Sequence, residues 1–282
     1  MQDLLFQSAM SAIKAGELVL KYYGLEEFAL KSDSSPVTKA DLESNALLTQ
    51  ELLANSPYKV CSEEAILDYE ERKNLEYYWL IDPLDGTKDF LAKNGGFTIN
   101  IALIHKNRPI LGVVFAPAFG SLYMALEGFG SFKVQIESQK DSTQSIQFLS
   151  TLQDLKDKKV RLNGERVAQE SALIACDSMF HSTQETQDFI QKYHLKVQKY
   201  GSSLKICALA EGKADIYPRF NGTSEWDIAA CDIILQEAGG VILDYEHKKP
   251  LEYNKQSVRN PYFIAFAKTQ IGGEIYKDVL GS

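Results

Sequence analysis

Trp79-Leu80-Ile81-Asp82-Pro83-Leu84-Asp85-Gly86-Thr87 is an apolar strand that runs into two carboxylates and a turn. Tyr77 to Ile81 reads as a buried strand. Pro83 has no N–H to donate and is expected to end its pairing. Asp85 adds a second carboxylate, Gly86 permits a tight turn, and Thr87 begins the next segment. Asp82, Asp85 and the Leu84 carbonyl can converge on one point in such a turn. Hard oxygen ligands at that point suit Mg2+ or Mn2+ better than zinc. The N–H groups of Gly86 and Thr87 would face the same place and could hold a phosphate oxygen. The plainer alternative is a helix-capping turn, because Asp-Pro and Asp-Gly are common turn formers.

Three further acidic segments lie far from this one in sequence. Cys61-Ser62-Glu63-Glu64 ends another short strand in paired acids, with a solvated loop as the alternative. Glu225-Trp226-Asp227 opens a helix, where an acid is also favoured by the helix dipole. Thr38-x-x-Asp41 has the form of a capping box at the start of a helix with Leu42, Ala46, Leu48 and Leu52 on its apolar side.

Leu5, Ala9, Ile13, Gly16 and Leu20 predict a first helix, and the polar stretch Lys31 to Pro36 breaks the chain after it. Strands are expected at Lys59 to Cys61, Phe97 to Ile104, Ile110 to Phe115 and Leu122 to Ala125. Asn107-Arg108-Pro109 would form the hairpin turn between the middle two. Glu137 to Lys158 is polar and reads as a boundary or long surface loop, which divides the chain into 1–150 and 151–282. Beyond it strands and helices alternate. Strands fall at Leu173 to Ala175, Val197 to Tyr200, Ala214 to Tyr217, Val241 to Leu243 and Tyr262 to Phe266, and helices at Gln184 to Tyr193, Ser203 to Glu211 and Asp227 to Glu237. That order argues for an α/β layer after a first half of two helices and a mostly antiparallel sheet.

The 282 residues, 45% hydrophobic and 24% charged, exclude a disordered chain and allow a large core. A formal charge of −8 argues against a nucleic-acid polymer as partner, while a small anion remains possible where cations supply local positive charge. Cys61, Cys176, Cys207 and Cys231 are scattered, which reads as reduced thiols in a cytoplasmic protein. Residues 1–23 are amphipathic and lack a signal-peptide core, and no apolar run reaches transmembrane length. Asn221-Gly222-Thr223 matches a glycosylation sequon and reads as chance.

Together, Ser62-Glu63-Glu64, Trp79-x-x-Asp82-Pro83-Leu84-Asp85-Gly86-Thr87 and Trp226-Asp227 resemble the signature of the inositol monophosphatase superfamily, in order and in approximate spacing. The resemblance implies an α/β (α+β) fold, a layered α-β-α-β-α sandwich in two subdomains with metals at their junction. It implies Glu64, Asp82, the Leu84 carbonyl, Asp85 and Asp227 as ligands for Mg2+, two or three ions, with Mn2+ as a substitute. It implies Asp41 and Thr87 as the pair that activates water, with Glu64 counted among the catalytic groups and Glu63 behind the metal. Such acids around one cavity would repel one another and take up protons unless cations relieved them. The same cations would polarise a phosphoryl oxygen and acidify a water. No nucleophile motif suggests a covalent intermediate.

Gly201-Ser202-Ser203-Leu204-Lys205, Phe97 to Leu103 and Tyr217-Pro218-Arg219-Phe220 further resemble the CysQ-type bisphosphate nucleotidase branch. That branch implies removal of the 3'-phosphate from adenosine 3',5'-bisphosphate, a role in sulfur metabolism, and inhibition by lithium. Substrate contacts would fall to Asp85, Gly86, Thr87, Gly201, Ser202, Lys205, Arg219 and Asp227, with Lys205 and Arg219 suited to a second phosphate. The branch carries a Ser-Arg-Ser-His stretch. Here the region reads Ala175-Cys176-Asp177-Ser178-Met179-Phe180-His181, with no arginine and an expected change of spacing, Ser178 and His181 being left to share the role. The rival readings are an inositol monophosphatase or sugar phosphatase, and a non-catalytic metal-binding interaction protein. The sequence chooses neither between monomer and homodimer nor between a free cytoplasmic protein and one peripheral to the inner face of the membrane.

Overall fold

The apolar positions Leu5, Ala9, Ala12, Ile13 and Val19 close one face of a long first helix, α1 (Gln2–Tyr22). The computed structural model describes residues 1–25, 29–30, 36–140, 146–166 and 172–281. All of the expected break at Lys31 to Pro36 but its last residue lies outside them. Strands β1 (Ala29–Leu30) and β2 (Pro36–Val37) pair antiparallel ahead of α2 (Lys39–Asn55), which opens at Thr38 in the expected capping box. The buried side of α2 is Ala40, Asp41, Ser44, Leu48 and Leu52, while Leu42 and Ala46 face outward. The expected stripe is therefore rotated. Asp41, held by its cap, and Ser44, whose Oγ donates to Pro83 O at 2.9 Å, set which face meets the sheet.

Next come β3 (Lys59–Ser62), α3 (Tyr69–Arg72), β4 (Tyr77–Asp85), α4 (Thr87–Leu91), β5 (Thr98–His105), β6 (Arg108–Ala116), β7 (Ser121–Leu126) and β8 (Gly130–Gln135). The polar stretch at 137–158 contains a hairpin, β9 (Glu137–Lys140) with β10 (Ile146–Leu149), and α5 (Leu152–Lys158) with its own Thr151–Asp154 capping box. Its exposed faces hid these elements from a reading based on polarity. β11 (Val160–Leu162) follows and pairs with β8. The first sheet has the order β11-β8-β7-β6-β5-β4-β3, antiparallel except for β3 with β4. It takes its edge strand from beyond residue 150, so it crosses the boundary placed there.

The hairpin between β5 and β6 turns at Lys106-Asn107, and Arg108 already belongs to β6. Arg108 is not a turn residue because its guanidinium is needed inward, donating to both carboxylate oxygens of buried Asp232 at 2.8 and 3.1 Å.

The second sheet is built from β12 (Ile174–Ser178), β13 (Lys196–Tyr200), β14 (Ile216–Arg219), β15 (Val241–Asp244) and β16 (Phe263–Phe266), in the order β13-β12-β14-β16-β15. Helices α6 (Gln184–Lys192), α7 (Leu204–Ala210), α8 (Glu225–Glu237) and α9 (Glu274–Leu280) complete the chain. Three apolar layers fix the stacking. α1 and α2 pack on Trp79, Ile81, Ile99 and Ile101 of the first sheet. The opposite face, with Tyr78, Leu80, Ala102 and Ile104, packs on α7 and α8, which also cover Cys176, Tyr217 and Phe263 of the second sheet. α6 and α9 close the far side over Ile216, Ile264 and Phe266. The result is an α-β-α-β-α sandwich. Strands buried on both faces read as unbroken apolar runs, as Trp79-Leu80-Ile81 does. Among the described residues no helix is long and apolar enough to cross a membrane.

Candidate metal centre and active site

β4 continues past Asp82 to Asp85. Asp82 pairs with Asn100 and Asp85 with Thr98, so Pro83 and Leu84 together oppose Ile99 in a bulge. Pro83 therefore does not end the pairing. A bulge tolerates its missing N–H and re-aims the carboxylates on either side. Gly86 then turns the chain at φ 89°, and a Cβ there would stand 2.0 Å from Ser202 Oγ. Thr87 starts α4 directly after it.

Glu63, Asp82 and Asp227 bring carboxylate oxygens within 4.8 Å of one another. Glu64, expected as the ligand, is not in this trio and does not line the cleft, whereas Glu63 does. Ser62 and Ala65 bond to each other across a tight turn that carries both glutamates. The Glu63 N–H still donates to Ile81 O of β4 at 3.2 Å, which ties Glu63 to the end of the sheet. An adjacent pair of identical residues gave the sequence no means of choosing between them.

Asp227 and Asp41 each occupy the third position of a helix and each serve its cap. Asp227 Oδ2 accepts the Ser224 N–H at 2.8 Å. Asp41 Oδ2 accepts the Thr38 N–H at 2.7 Å, and its Oδ1 accepts the Thr87 hydroxyl at 3.3 Å. Capping and site chemistry are thus compatible in these residues: one oxygen holds the helix start, and Asp41 offers the other to Thr87.

Asp85 is held from both halves of the chain. Its Oδ2 accepts the Ser203 N–H at 3.0 Å and Asn100 Nδ2 at 3.2 Å. Ser203 Oγ in turn donates to Asp227 O at 2.8 Å and accepts from Asn100 Nδ2 at 2.9 Å. Ser203, Asn100 and Thr98 were not expected at the site. The signal was present, since Thr98 and Asn100 are polar residues on one face of an otherwise apolar strand, and buried polar groups need partners.

Burial, and then the charges of Glu63, Asp85 and Asp227, push the Asp82 carboxyl well above the usual carboxylate range. Burial and then Asp85 push Asp227 up to about 8. Burial raises Asp85 too, with Lys205 and Asn100 pulling the other way. Such a set fits a divalent cation. Its donors are all hard oxygens, and those around one octahedral ion stand about 3–4 Å apart, close to the spacing already present. Leu84 belongs to the same cleft wall.

The cleft encloses about 490 Å³, and cations line it as well as carboxylates. Lys205 is buried, with Nζ donating to Tyr200 O at 3.3 Å and lying 5.7 Å from the Tyr217 ring centre. Arg219 is buried, donates to His181 O at 3.5 Å, and keeps an Nε without a hydrogen-bond partner among the described residues. Lys88 Nζ lies 3.0 Å from His181 Nε2. An ammonium can only donate, so His181 accepts and is neutral. Burial and the charges of Arg219, Lys88 and Lys205 agree, holding its pKa at about 4.

Ser178, His181, Ser202, Gly86, Thr87 and Asp85 line the cleft as expected candidates. Gly201 does not, because its place is a backbone contact where a Cβ would stand 2.2 Å from Gly96 O. Ser178 and His181 are separated as in Ser-Arg-Ser-His, so the expected change of spacing does not hold. What changes is the arginine, whose place falls to exposed Met179. Lys88, Asp89, Arg259 and the Asn221-Gly222-Thr223 sequon also line the cleft and were not foreseen there.

Comparison with known proteins agrees with this architecture. The inositol monophosphatase family model matches residues 1–277. The 3'(2'),5'-bisphosphate nucleotidase CysQ of Salmonella typhimurium is 36% identical over 92% of this chain and 98% of its own. The protein of the same name from Buchnera aphidicola is 37% identical over 86% of this chain and 83% of its own. The crystal structure of CysQ from Bacteroides thetaiotaomicron superposes with a TM-score of 0.79 at 37% identity, covering 93% of this chain and 97% of that one. An IMPase from Thermotoga maritima gives 0.74 at 25% identity, covering 100% and 98%.

Proposed function

The chain belongs to the inositol monophosphatase family, and from that premise we propose that it is a 3'(2'),5'-bisphosphate nucleotidase that hydrolyses adenosine 3',5'-bisphosphate to AMP and phosphate. The observation that carries the reading is the meeting of Glu63, Asp82 and Asp227 beside the Asp41–Thr87 pair. Glu63, Asp82 and Asp227 would hold one Mg2+, and Asp85 with the Leu84 carbonyl would help to hold a second; Mn2+ would substitute. Bound Mg2+ supplies Lewis-acid polarisation of the phosphoryl group and a more acidic water.

The remaining work falls to the chain itself. Thr87 donates its hydroxyl proton to Asp41, so its oxygen lone pairs are free to accept from the attacking water and aim it. The water oxygen bonds to phosphorus, the ester P–O bond breaks, and the 3'-oxygen leaves with one of the water's protons, the other staying on the phosphate. Arg219, Lys205 and Lys88 supply positive charge in the cleft, where they would hold a second phosphate. Neutral His181 accepts from Lys88 and directs its ammonium. We place the protein in the cytoplasm on its scattered buried thiols.

One observation favours a smaller polyol or sugar phosphate: Met179 stands where the nucleotidase branch has arginine. Phosphate release in Mg2+ from adenosine 3',5'-bisphosphate and from inositol 1-phosphate, with and without Li+, separates the two. The nucleotide should be the faster substrate and Li+ should inhibit. A rate about tenfold higher on inositol 1-phosphate ends the nucleotide reading.

A further inference from the structure

Two buried charges outside the cleft grip one short segment from opposite sides. Arg72, at the end of α3, is 2% exposed. Its Nη1 donates to Asn254 Oδ1 at 2.9 Å and its Nη2 to Lys255 O at 2.6 Å. Glu225, the first residue of α8, is 1% exposed. Its carboxylate accepts the N–H of Asn254 at 3.0 Å, the N–H of Lys255 at 3.1 Å and Lys255 Nζ at 2.6 Å. Asn254 Nδ2 reaches back to Arg72 O at 3.2 Å and Lys106 O at 3.3 Å. The cation takes the oxygens of the segment and the anion takes its N–H groups.

Neither charge would be retained at such depth without these partners. Asn254 is moreover held at φ 62°, the left-handed region, a strained conformation that persists only where the surroundings impose it. The segment is also stitched to the start of α8 by the Glu225 N–H, which donates to Val258 O at 2.8 Å.

The two ends of this strap lead to the two ends of the carboxylate trio. Arg72 lies within the β3–β4 connection that begins at Glu63. Glu225 stands two residues before Asp227 on the first turn of α8. We propose that Arg72 and Glu225, through Asn254-Lys255, are positioning residues that fix the separation of Glu63 from Asp227 and so set the affinity of the trio for a divalent cation. This rests on the reading that Glu63, Asp82 and Asp227 hold such an ion. It extends to this chain the general rule that groups behind metal ligands tune affinity by about 10–100-fold.

The test is calorimetric titration of the full-length protein with Mn2+, without substrate, for wild type, Glu225→Gln and Arg72→Lys. A remote core variant, Leu52→Ala, is the control for general destabilisation. Both strap variants should bind Mn2+ about tenfold or more weakly, with near-ultraviolet circular dichroism unchanged. Leu52→Ala should lose thermal stability and keep the wild-type Mn2+ affinity. Should Glu225→Gln fail to fold, the charge-conserving Arg72→Lys decides on the same criterion. Affinity within twofold of wild type in a folded strap variant overturns the proposal, as does equal weakening in Leu52→Ala. Failure of the wild type to bind Mn2+ sinks the metal reading instead, so the two failures are distinguishable.

Discussion

The two sets of charges that line the cleft are built in different ways. The acidic set gathers Glu63, Asp82, Asp85 and Asp227 from strand ends and a helix start, each inside a short, recognisable run of sequence. The cationic set gathers Lys88, Lys205, Arg219 and Arg259, one at a time, from separate elements and loops. Carboxylates that repel one another at close range are tolerated only for a cation, so they mark chemistry strongly. Single cations on helices and strand ends have many ordinary uses and mark little. The acidic set serves the reaction and the cationic set the choice of substrate, and substitutions should separate the two.

The largest effect is expected from Asp82→Asn. It removes a charge from the trio, and turnover should fall by more than the 10–100-fold that outer positions cost, roughly a thousandfold. Without added metal the same variant should melt higher than wild type, by about 2–4 °C per kcal/mol of repulsion relieved. Loss of activity together with loss of stability would mean that Asp82 is a structural residue.

That prediction also shows where the sequence was legible. The capping box of α2 and most helices and strands could be read from local pattern, while the layered sandwich and the convergence of distant acids followed from the family resemblance that the motifs carry. The choice of Glu63 over Glu64 could not, because it depends on how a tight turn leaves the sheet. The bulge at Pro83-Leu84 was hidden because a proline in a strand is compatible both with termination and with a bulge. The helix and hairpin of 137–158 were hidden by their exposed polar faces.

The glutamate assignment gives the next effect. Glu63→Gln should lower turnover by about a hundredfold at limiting Mg2+, with partial recovery at high Mg2+. Glu64→Gln, outside the trio and the cleft lining, should stay within about threefold of wild type. The reverse order, measured by phosphate release across a Mg2+ series, would restore the original assignment.

A smaller and different effect is expected in the cationic set. Arg219→Met should raise KM for adenosine 3',5'-bisphosphate about 10–100-fold, the range for losing a charge-assisted hydrogen bond. Its kcat should hardly change, because uniform binding is what is lost. A fall in kcat at unchanged KM would place Arg219 in the chemistry and erase the division between the two sets.

The smallest effect is on melting temperature. Asp227 is pushed up to about 8 and Asp82 well above its usual range, while both ionise near 3.9 in an unfolded chain. Between those values the folded, metal-free protein keeps protons that the unfolded chain has released. Its stability should therefore fall as pH rises from about 4 to about 8. Scanning calorimetry in chelator should show Tm dropping by several degrees between pH 5 and pH 8, with Mg2+ reversing most of the drop at pH 8. A metal-free Tm that rises across this window would contradict the repulsion among the four carboxylates.

The most direct measurement is anomalous diffraction from a crystal grown in Mn2+. A difference peak bounded by Glu63, Asp82 and Asp227, about 2.0–2.3 Å from an oxygen of each, is the predicted result. Clear density for those three side chains with no peak between them, or a peak held by Glu64 instead, would contradict the account.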